Sequence, residues 1–452
     1  MKKYSLVFLF LVGMIALFSA CNDDETPTPP IVSIESLSGV FSMPQGDSII
    51  LKANVESTLE TALRWTVNGN EVSTDSIYTF NMNDLGNYEV KLTAINTDGE
   101  TSATEPVEVY GKYKYGTFVL NGGRLRGEIN GTLTFINPQG VITDSVYFKE
   151  NGEVLGVTAQ DLYIRNNKLY IVSKNGGKEG KEGDFLVIAN AETLKKERGY
   201  HKELGDKFNK ASHIVAIGDN DIYIRDNNGI SHFAPSTDVV TFIKGSKGAK
   251  ETAMTVADGK VFAAQSNNIL VLEAGKDTVS KVIPISGNIS GVIPSYDGNV
   301  WVSCGAKGEE PAKIIKLNAK DYTMEENRIE DQTLSTILNG GQAAAPFITA
   351  KGDTLYSGNL AGKVYRHIFS QKKTDYMGDI KESVEDVMTL YNTVAVHPIT
   401  GELYANTIKD YGRVPENKIC IFNCNDNKLT LRTTYNGYTI NPSGIYFTYN
   451  FK

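Results

Sequence analysis

The side chains best suited to hold a ligand are tyrosine, arginine, asparagine and glutamine residues in turn-rich segments of the chain. Tyrosine offers a flat stacking surface, and arginine and amide groups offer directional hydrogen bonds at low cost in conformational entropy. This chemistry suits a large polar-aromatic ligand or a glycan. The candidate ligand-binding residues are Arg124, Arg126, Tyr200, Gln342, Tyr411, Arg413, Tyr435, Tyr438 and Asn441.

Known catalytic and metal-binding motifs are lacking from the sequence. It contains no phosphate-binding loop, Gly-x-Ser-x-Gly, His-Glu-x-x-His or Cys-x-x-Cys motif, and its 5 histidines stand singly. The acidic segment from Asp375 to Asp386 could bind Ca²⁺ or act as an acid–base pair, but it also fits an ordinary solvated loop. The net charge of −8 argues against nucleic acid as a partner. We therefore predict no catalytic residue, no metal site and no cofactor.

The N-terminus has the pattern of a bacterial lipoprotein signal, in which Cys21 would carry the acyl chains. Two lysines precede an apolar run that ends at Phe18, and small residues follow it. This run is too short to span a membrane comfortably, and the small residues indicate a cleavage site. Residues 1–20 are therefore predicted to be a signal peptide, and residues 21–30 an acidic, proline-rich tether.

The other three cysteines are predicted to be buried free thiols. Cys420 and Cys424 are four residues apart. If they share one extended strand, their Cα atoms lie about 13 Å apart, which is too far for a disulfide. Cys304 stands alone in the sequence.

Residues 31–110 are predicted to form a small β-sandwich. Short alternating segments, such as Leu63–Val67, are separated by turn signals, such as Asn68-Gly69. Trp65 could serve as a stacking platform for a sugar, but its position in a central strand favours a place in the core. The pattern resembles a PKD or Ig-like domain, and the resemblance implies a spacer between the membrane and the rest of the chain.

Residues 111–452 contain a repeat in which a turn is followed by an apolar residue, an aromatic residue and another small or apolar residue. Steps of 39 to 55 residues separate successive aromatics, as expected for four-stranded propeller blades. We predict seven blades in an all-β fold, with these aromatics in the core between blades. The aromatics of the repeat are Phe118, Tyr170, Tyr223, Phe262, Trp301, Tyr356 and Tyr404.

The ring is predicted to close through its two ends. The segment Ser443–Tyr449 looks like an inner strand without a blade of its own, and pairing with the strand at Phe118 would leave no open edge. Long connections are expected to gather on one rim and to form a binding face, because binding residues concentrate on loops held by a rigid scaffold. These connections are 121–131, 174–184, 200–212, 331–345, 378–392, 406–418 and 435–443.

Together, the Cys21 signal, the acidic segment Asn22–Glu25, the PKD-like segment and the YncE-like propeller resemble a group of Bacteroidetes surface lipoproteins. The propeller part resembles the vitamin B12-capture lipoproteins called BtuG, which sit over a TonB-dependent transporter. The resemblance rests on patterning, and no cobalamin-contact residue can be mapped onto this sequence. It implies a protein anchored in the outer membrane by lipid alone and facing the cell exterior.

Three functions are compatible with these features. The first is a non-enzymatic binding protein that captures a nutrient, with a corrinoid as the leading ligand, and delivers it to a TonB-dependent outer-membrane transporter. The second is a glycan-binding accessory of a polysaccharide-uptake system. The third is a scaffold that contacts another protein without a small ligand. Since enzymes also occur on propellers, the fold by itself does not exclude catalysis.

Overall fold

A computed structural model describes residues 27–448 except 127, 178–179, 340–347, 359 and 412–415. The predicted lipidation residue Cys21 and the candidate residues Gln342 and Arg413 lie outside this range. The chain divides into two compact units, Met1–Val109 and Tyr110–Lys452. Among the described residues, no helix has both the length and the apolar character needed to cross a membrane.

The first unit is a two-sheet sandwich, as predicted. One sheet has the strand order β2-β8-β7-β4-β5 and the other the order β1-β3-β6. Trp65 is fully buried between them, and its ring nitrogen donates a hydrogen bond to the Asp75 carbonyl over 2.8 Å. Trp65 is therefore a core residue and not a sugar platform. The strands are β1 Ile31–Ser36, β2 Ser42–Pro44, β3 Ile49–Glu56, β4 Ala62–Val67, β5 Asn70–Ser73, β6 Ile77–Phe80, β7 Gly86–Asn96 and β8 Gly99–Tyr110.

The second unit is a propeller with seven four-stranded sheets among its described residues, as predicted. Blades are numbered in chain order, and each runs from an inner strand to an outer one. Blade 1 is β36-β9-β10-β11, blade 2 is β12 to β15, blade 3 is β16 to β19, and blade 4 is β20 to β23. Blade 5 is β24 to β27, blade 6 is β28 to β31, and blade 7 is β32 to β35.

The strands of blades 1 to 4 are β9 Thr117–Asn121, β10 Thr132–Ile136, β11 Ile142–Thr143, β12 Ala159–Arg165, β13 Lys168–Ser173, β14 Leu186–Asn190, β15 Lys196–Tyr200, β16 His213–Gly218, β17 Asp221–Asp226, β18 Gly229–Ala234, β19 Val239–Phe242, β20 Thr255–Ala257, β21 Lys260–Gln265, β22 Asn268–Leu272 and β23 Lys281–Pro284. Those of blades 5 to 7, with the closing strand, are β24 Asn288–Pro294, β25 Val300–Gly305, β26 Lys313–Leu317, β27 Met324–Arg328, β28 Thr349–Lys351, β29 Thr354–Gly358, β30 Lys363–Ile368, β31 Lys373–Asp379, β32 Thr389–Val396, β33 Leu403–Ile408, β34 Lys418–Asn423, β35 Thr430–Asn436 and β36 Pro442–Phe447. Short helices lie in four of the crossings between blades: α1 Val146–Asn151, α2 Lys202–Gly205, α3 Gln332–Leu338 and α4 Ile380–Ser383.

The chain ends close the ring in the predicted way. Strand β36 pairs antiparallel with β9, so that Ile445 lies opposite Val119 and Tyr446 opposite Phe118. The Tyr446 hydroxyl also donates to Asp161 Oδ1 of β12 over 2.9 Å. The closing strand therefore belongs to blade 1 and is bonded to blade 2 as well, which leaves no free edge at the seam.

The repeated aromatics all lie on the second strand of a blade, and they are 0% to 7% exposed. They pack between neighbouring blades, as in the contact of Trp301 with Phe369 at 4.8 Å between ring centroids. Burial of each of these aromatic side chains stabilises the propeller by roughly 1.5–3 kcal/mol. The predicted free thiols are confirmed too, because Cys304, Cys420 and Cys424 are buried and unbridged.

Each inner strand lines the central channel. The inner strand and the second strand of a blade run antiparallel, so the start of the inner strand and the end of the second strand lie at the same rim of the propeller. We call this rim the mouth rim. Connections between the second and third strands and crossings between blades meet there. As far as the described residues extend, the long connections predicted from the sequence fall in these two classes.

Candidate functional site

A cavity of about 420 Å³ opens at the mouth rim, on the side of blades 1, 2 and 7. We call it the mouth cavity. It is bounded by the first residues of three inner strands, by the turns after β9 and β13, and by the crossing before β20. Its lining is mostly polar and comprises Gly122, Gly123, Arg124, Leu125, Thr158, Gln160, Lys174, Asn175, Glu251, Tyr391, Asn392, Asn441 and Ser443.

Irregular pairing at the starts of three inner strands supplies part of this lining. The register shifts between Ala159 and Asp161 in β12, between Leu390 and Val394 in β32, and between Pro442 and Gly444 in β36. A bulge leaves its extra residue out of the hydrogen-bonded ladder and redirects its side chain. The residues skipped by these shifts include Gln160, Tyr391, Asn392 and Ser443, all of which line the cavity.

Two glycines let the turn after β9 pack closely. A Cβ on Gly122 would lie only 3.2 Å from the Asn441 carbonyl and 3.3 Å from the Ala159 carbonyl, next to the inner strands. Gly123 has a φ of 69°, and a Cβ placed there would collide with the carbonyls of Ile129 and Asn130. Glycine has no Cβ and adopts this conformation without strain. The turn then forms a small hairpin in which the N–H of Arg124 donates to the Ile129 carbonyl over 2.8 Å, and the reverse bond measures 2.9 Å. The hairpin places the Arg124 guanidinium at the edge of the cavity.

An ion pair crosses the opposite side of the cavity. Lys174 Nζ, which follows β13, donates to Glu251 Oε1 in the crossing before β20 over 2.8 Å. Burial acts to raise the pKa of Glu251, but the hydrogen bond from Lys174 and the charges of Lys174 and Arg225 outweigh it and lower that pKa. Glu251 is therefore a carboxylate at neutral pH.

Tyrosine rings stand at the border of the cavity. Tyr391 and Tyr411 meet edge to face, with ring centroids 6.2 Å apart and an interplanar angle of 73°. Arg124 Nη2 donates to the Tyr411 carbonyl over 2.6 Å, which ties the turn after β9 to the turn after β33. Tyr411 is 53% exposed, so its ring offers an open stacking surface.

Of the predicted ligand-binding residues, Arg124 and Asn441 line the cavity, and Tyr411 lies beside it. Asn441 is held in the left-handed region with a φ of 50°, and its side chain donates to the Gly123 carbonyl over 2.8 Å. Arg126 is exposed and does not line the cavity. These placements bring together residues from the beginning and the end of the propeller.

Tyr435 and Tyr438 have structural contacts at the seam between blades 7 and 1. The Tyr435 hydroxyl donates to the Gly140 carbonyl over 2.8 Å, and the Tyr438 carbonyl accepts from Asn121 Nδ2 over 3.1 Å.

Tyr200 is placed in the core instead of on the binding face. It is 8% exposed, and its ring packs edge to face on Phe233 at 4.9 Å. The physical reason is that Tyr200 ends strand β15 and fills the space between blades 2 and 3.

Five lining residues were not predicted from the sequence: Gln160, Lys174, Glu251, Tyr391 and Asn392. Two of the predicted connections contain Lys174, Tyr391 and Asn392, but no rule distinguished them from their neighbours. Four of them share a kind of position: Lys174 follows a second strand, and Gln160, Tyr391 and Asn392 lie near the beginning of an inner strand. Glu251 lies in the crossing before β20. Such a position at a strand end can be recognised in the sequence once the strands of the repeat are aligned.

The acidic segment is occupied by structural contacts. Asp375 forms ion pairs with Arg366 over 2.6 Å and with Lys373 over 3.0 Å, and Asp379 caps helix α4.

Residues 115–448, which form the propeller, match the family described as a domain of unknown function, DUF5074. The chain belongs to the DUF5074 family. In this DUF5074 protein, residues 29–96 match a PKD-like domain, in agreement with the resemblance of the first unit. No curated protein matches the chain.

The DUF5074 chain is also similar to solved structures. One is a quinonprotein alcohol dehydrogenase-like protein from Bacteroides thetaiotaomicron, with 17% identity and a TM-score of 0.55 over 92% of this chain and 99% of that one. This likeness shows the fold alone. A protein of unknown function from the same organism has 12% identity and a TM-score of 0.31 over 84% of this chain and 96% of that one. The extracellular domain of a one-component system from that organism has 12% identity and a TM-score of 0.38, over 87% of this chain and 54% of that one.

Proposed function

We propose that this protein is a cell-surface lipoprotein, anchored to the outer membrane through Cys21, that binds a polar nutrient in the mouth cavity. The bound nutrient passes to a TonB-dependent outer-membrane transporter. A corrinoid is the leading ligand. The protein acts by binding and not by catalysis.

The mouth cavity carries this proposal. Its volume of about 420 Å³ falls within the range of roughly 300–1,000 Å³ that is usual for small-molecule sites. Amide side chains from Gln160, Asn175, Asn392 and Asn441 face it together. A corrin ring carries amide side chains around its edge, and amides pair with amides as both donors and acceptors. Since a corrinoid is larger than the cavity, one edge of the ring would enter it.

Rigid positioning of the polar groups supports a binding role. Asn175 Nδ2 donates to Thr158 Oγ1 over 3.0 Å, and Asn392 Nδ2 donates to the Pro442 carbonyl over 2.7 Å. Side chains held in this way lose little conformational entropy when a ligand binds, and such preorganisation increases affinity. Glu251, the one carboxylate that the described part of the chain contributes to the cavity, is paired with Lys174, which supports binding more than acid–base chemistry.

The test is a titration of purified residues 22–452 with cyanocobalamin, followed by isothermal calorimetry and by co-elution of the visible absorbance in size exclusion. We expect a complex, and we expect Gln160→Ala to weaken it by about tenfold or more, which corresponds to about 1.4 kcal/mol. Gln371→Ala is the matched control, because Gln371 is exposed in the turn between β30 and β31 at the opposite rim. Equal affinity for the two variants, or no complex at all, would contradict the corrinoid proposal.

The surface location has its own test. Intact cells that produce the protein are treated with a protease or with an amine-reactive label that does not cross the outer membrane. We expect the wild-type chain to be digested or labelled. A Cys21→Ala variant should lose its membrane association. Protection of the wild-type chain in intact cells, with digestion after lysis, would place the protein inside the outer membrane.

A glycan is the second candidate ligand, and the Tyr391–Tyr411 pair favours it. A tyrosine 53% exposed beside amide and hydroxyl groups matches the combination of stacking and hydrogen bonding that sugars use. The same titration with soluble polysaccharides distinguishes the two candidates. We would conclude that the ligand is a glycan and not a corrinoid if three results came together. An oligosaccharide saturates the protein, Tyr411→Ala weakens this binding, and cyanocobalamin does not bind.

A further inference from the structure

We propose that the mouth cavity recognises an anionic group on its ligand, a carboxylate or a phosphate ester, and that Lys174 binds this group in exchange for Glu251. This inference rests on the proposed function of the cavity as a ligand site. It specifies the charge of the ligand, which the proposed function leaves open.

The first support is the balance of charge at the cavity. Of the described residues that line it, Arg124 and Lys174 carry positive charge, and Glu251 alone carries a carboxylate. The Arg124 guanidinium makes no ion pair with any described residue, and its recorded acceptor is the neutral carbonyl of Tyr411. Among the described residues, one positive charge at the cavity is therefore left without a carboxylate partner.

A third cationic side chain, that of Arg225, lies close to the cavity without lining it. Arg225 is 7% exposed and donates to neutral acceptors, namely the Ala249 carbonyl over 3.0 Å and Ser212 Oγ over 3.0 Å. Its charge helps to lower the pKa of Glu251, which shows that it acts on the cavity wall. Asp226, which also acts on Arg225, accepts hydrogen bonds from the N–H groups of Asn228 and Gly229 and does not line the cavity.

The second support is the accessibility of the ion pair. The Lys174 side chain is 21% exposed and that of Glu251 is 44% exposed. A partly exposed ion pair contributes little to stability, so a ligand anion can replace Glu251 at Lys174 with little loss. The displaced Glu251 carboxylate can turn into solvent. Charge-assisted hydrogen bonds from Lys174 and Arg124 to the ligand would then favour an anion over its neutral analogue.

The third support is the contrast with the rest of the molecule. The whole chain carries a formal net charge of −8, whereas the described charged side chains that line the cavity sum to +1. A positive spot on a negative protein directs small anions towards it and adds selectivity for charge. An amine ligand would instead meet Arg124 and Lys174 and be repelled.

The experiment compares matched probes that differ in one anionic group. Galacturonate is compared with galactose, and galactose 6-phosphate is compared with the same galactose. Inorganic phosphate serves as a competitor. Binding to residues 22–452 is followed by ligand-observed NMR. We expect the anionic member of at least one pair to bind at least tenfold more tightly, and we expect phosphate to compete with it. The pair that shows the difference identifies the anion as a carboxylate or a phosphate ester.

Two substitutions separate this inference from a merely structural role of the ion pair. Lys174→Gln should weaken binding of the anionic probe by about tenfold. Glu251→Gln should strengthen it by about threefold, because the internal competitor is removed. A structural role would make both variants weaker binders. Asp277→Asn is the matched control, since it breaks the Lys244–Asp277 pair, also 2.8 Å long, without touching the cavity.

Equal affinity for charged and neutral probes, or weaker binding in Glu251→Gln, would overturn the inference. If cyanocobalamin or a neutral sugar still binds, and Gln160→Ala weakens it, the proposed function stands while the charge inference fails. If no probe binds, both fail.

Discussion

His397 should make the stability of the propeller depend on pH in a way that a single substitution removes. It is 5% exposed at the end of β32, and its ring packs on Phe447 of the closing strand with centroids 4.9 Å apart. The Nδ1 atom accepts hydrogen bonds from the N–H groups of Ile399 and Thr400, each over 3.1 Å. Protonation of Nδ1 would break both bonds. The imidazole is therefore neutral in the folded protein.

The size of the effect follows from the pKa of His397. Burial, together with the charges of Lys351 and Arg432, lowers this pKa from 6.5 to about 4. The unfolded chain therefore takes up the proton at a higher pH than the folded chain, and acid favours unfolding. The contribution of His397 is complete above pH 6.5 and is lost as the pH falls towards about 4. With about 1.4 kcal/mol for each pKa unit, the loss between pH 7 and pH 4 is about 3 kcal/mol.

The informative variant is His397→Asn. The asparagine Oδ1 can accept from the same two N–H groups, as in an Asx turn, and it has no proton to gain in this range. The variant loses the ring contact with Phe447, so it should be less stable than the wild type at pH 7 by about 1–3 kcal/mol. This difference should shrink by about 3 kcal/mol on going to pH 4, so that the variant equals or exceeds the wild type there.

The assay is urea unfolding at four pH values between 7 and 4, followed by tryptophan fluorescence. The chain has two tryptophans, Trp65 and Trp301, so a Trp65→Phe background lets Trp301 report the propeller alone. His201→Asn serves as the control, because the His201 side chain is 49% exposed. A stability difference between His397→Asn and wild type that stays constant from pH 7 to pH 4 would refute the reasoning.

Three further predictions follow from the fold. A chain that ends at Asn441 lacks β36 and should lose the cooperative urea transition of the propeller, whereas a chain that ends at Thr448 should keep it; equal transitions would argue against closure through β36. Trp301→Ala should lower the free energy of unfolding by about 3–5 kcal/mol in a thermal or urea titration followed by circular dichroism, and a loss below about 1 kcal/mol would contradict its role in the core. Tyr200→Ala should lower the free energy of unfolding by about 3 kcal/mol and leave ligand affinity unchanged. Tyr411→Ala should weaken ligand binding and leave the stability unchanged. A stable Tyr200→Ala variant with weakened binding would show that Tyr200 lies on the ligand face.

The blades could be predicted from the sequence because their pattern has a direct physical cause. Each repeat aromatic, such as Phe262 or Trp301, lies on a second strand, where both faces of the sheet are covered by neighbouring blades. A buried position of this kind requires an aromatic ring at a fixed place after a turn, so the repeat can be recognised in the sequence. The closing strand was predictable for the same reason, since β36 has strand character but no blade of its own.

The lining of the mouth cavity was only partly predictable. Arg124 and Asn441 were found because they are polar residues in long connections at the predicted rim. Gln160 and Asn392 were missed because their direction depends on irregular pairing with a neighbouring strand, which the local sequence does not encode. Tyr200 was misplaced because its strand extends one residue further than the pattern indicated, and that residue turns towards the core.

The register shifts at the starts of β12, β32 and β36 also bear on how this protein can change over generations. A residue skipped by the hydrogen-bonded ladder, such as Gln160, is not part of the strand pairing that maintains the ring. Exchange of its side chain therefore changes the lining of the mouth cavity more than the architecture. Proteins built on the same circular frame can thus acquire different chemical preferences at the mouth through a few substitutions, while the aromatic layers between blades stay the same.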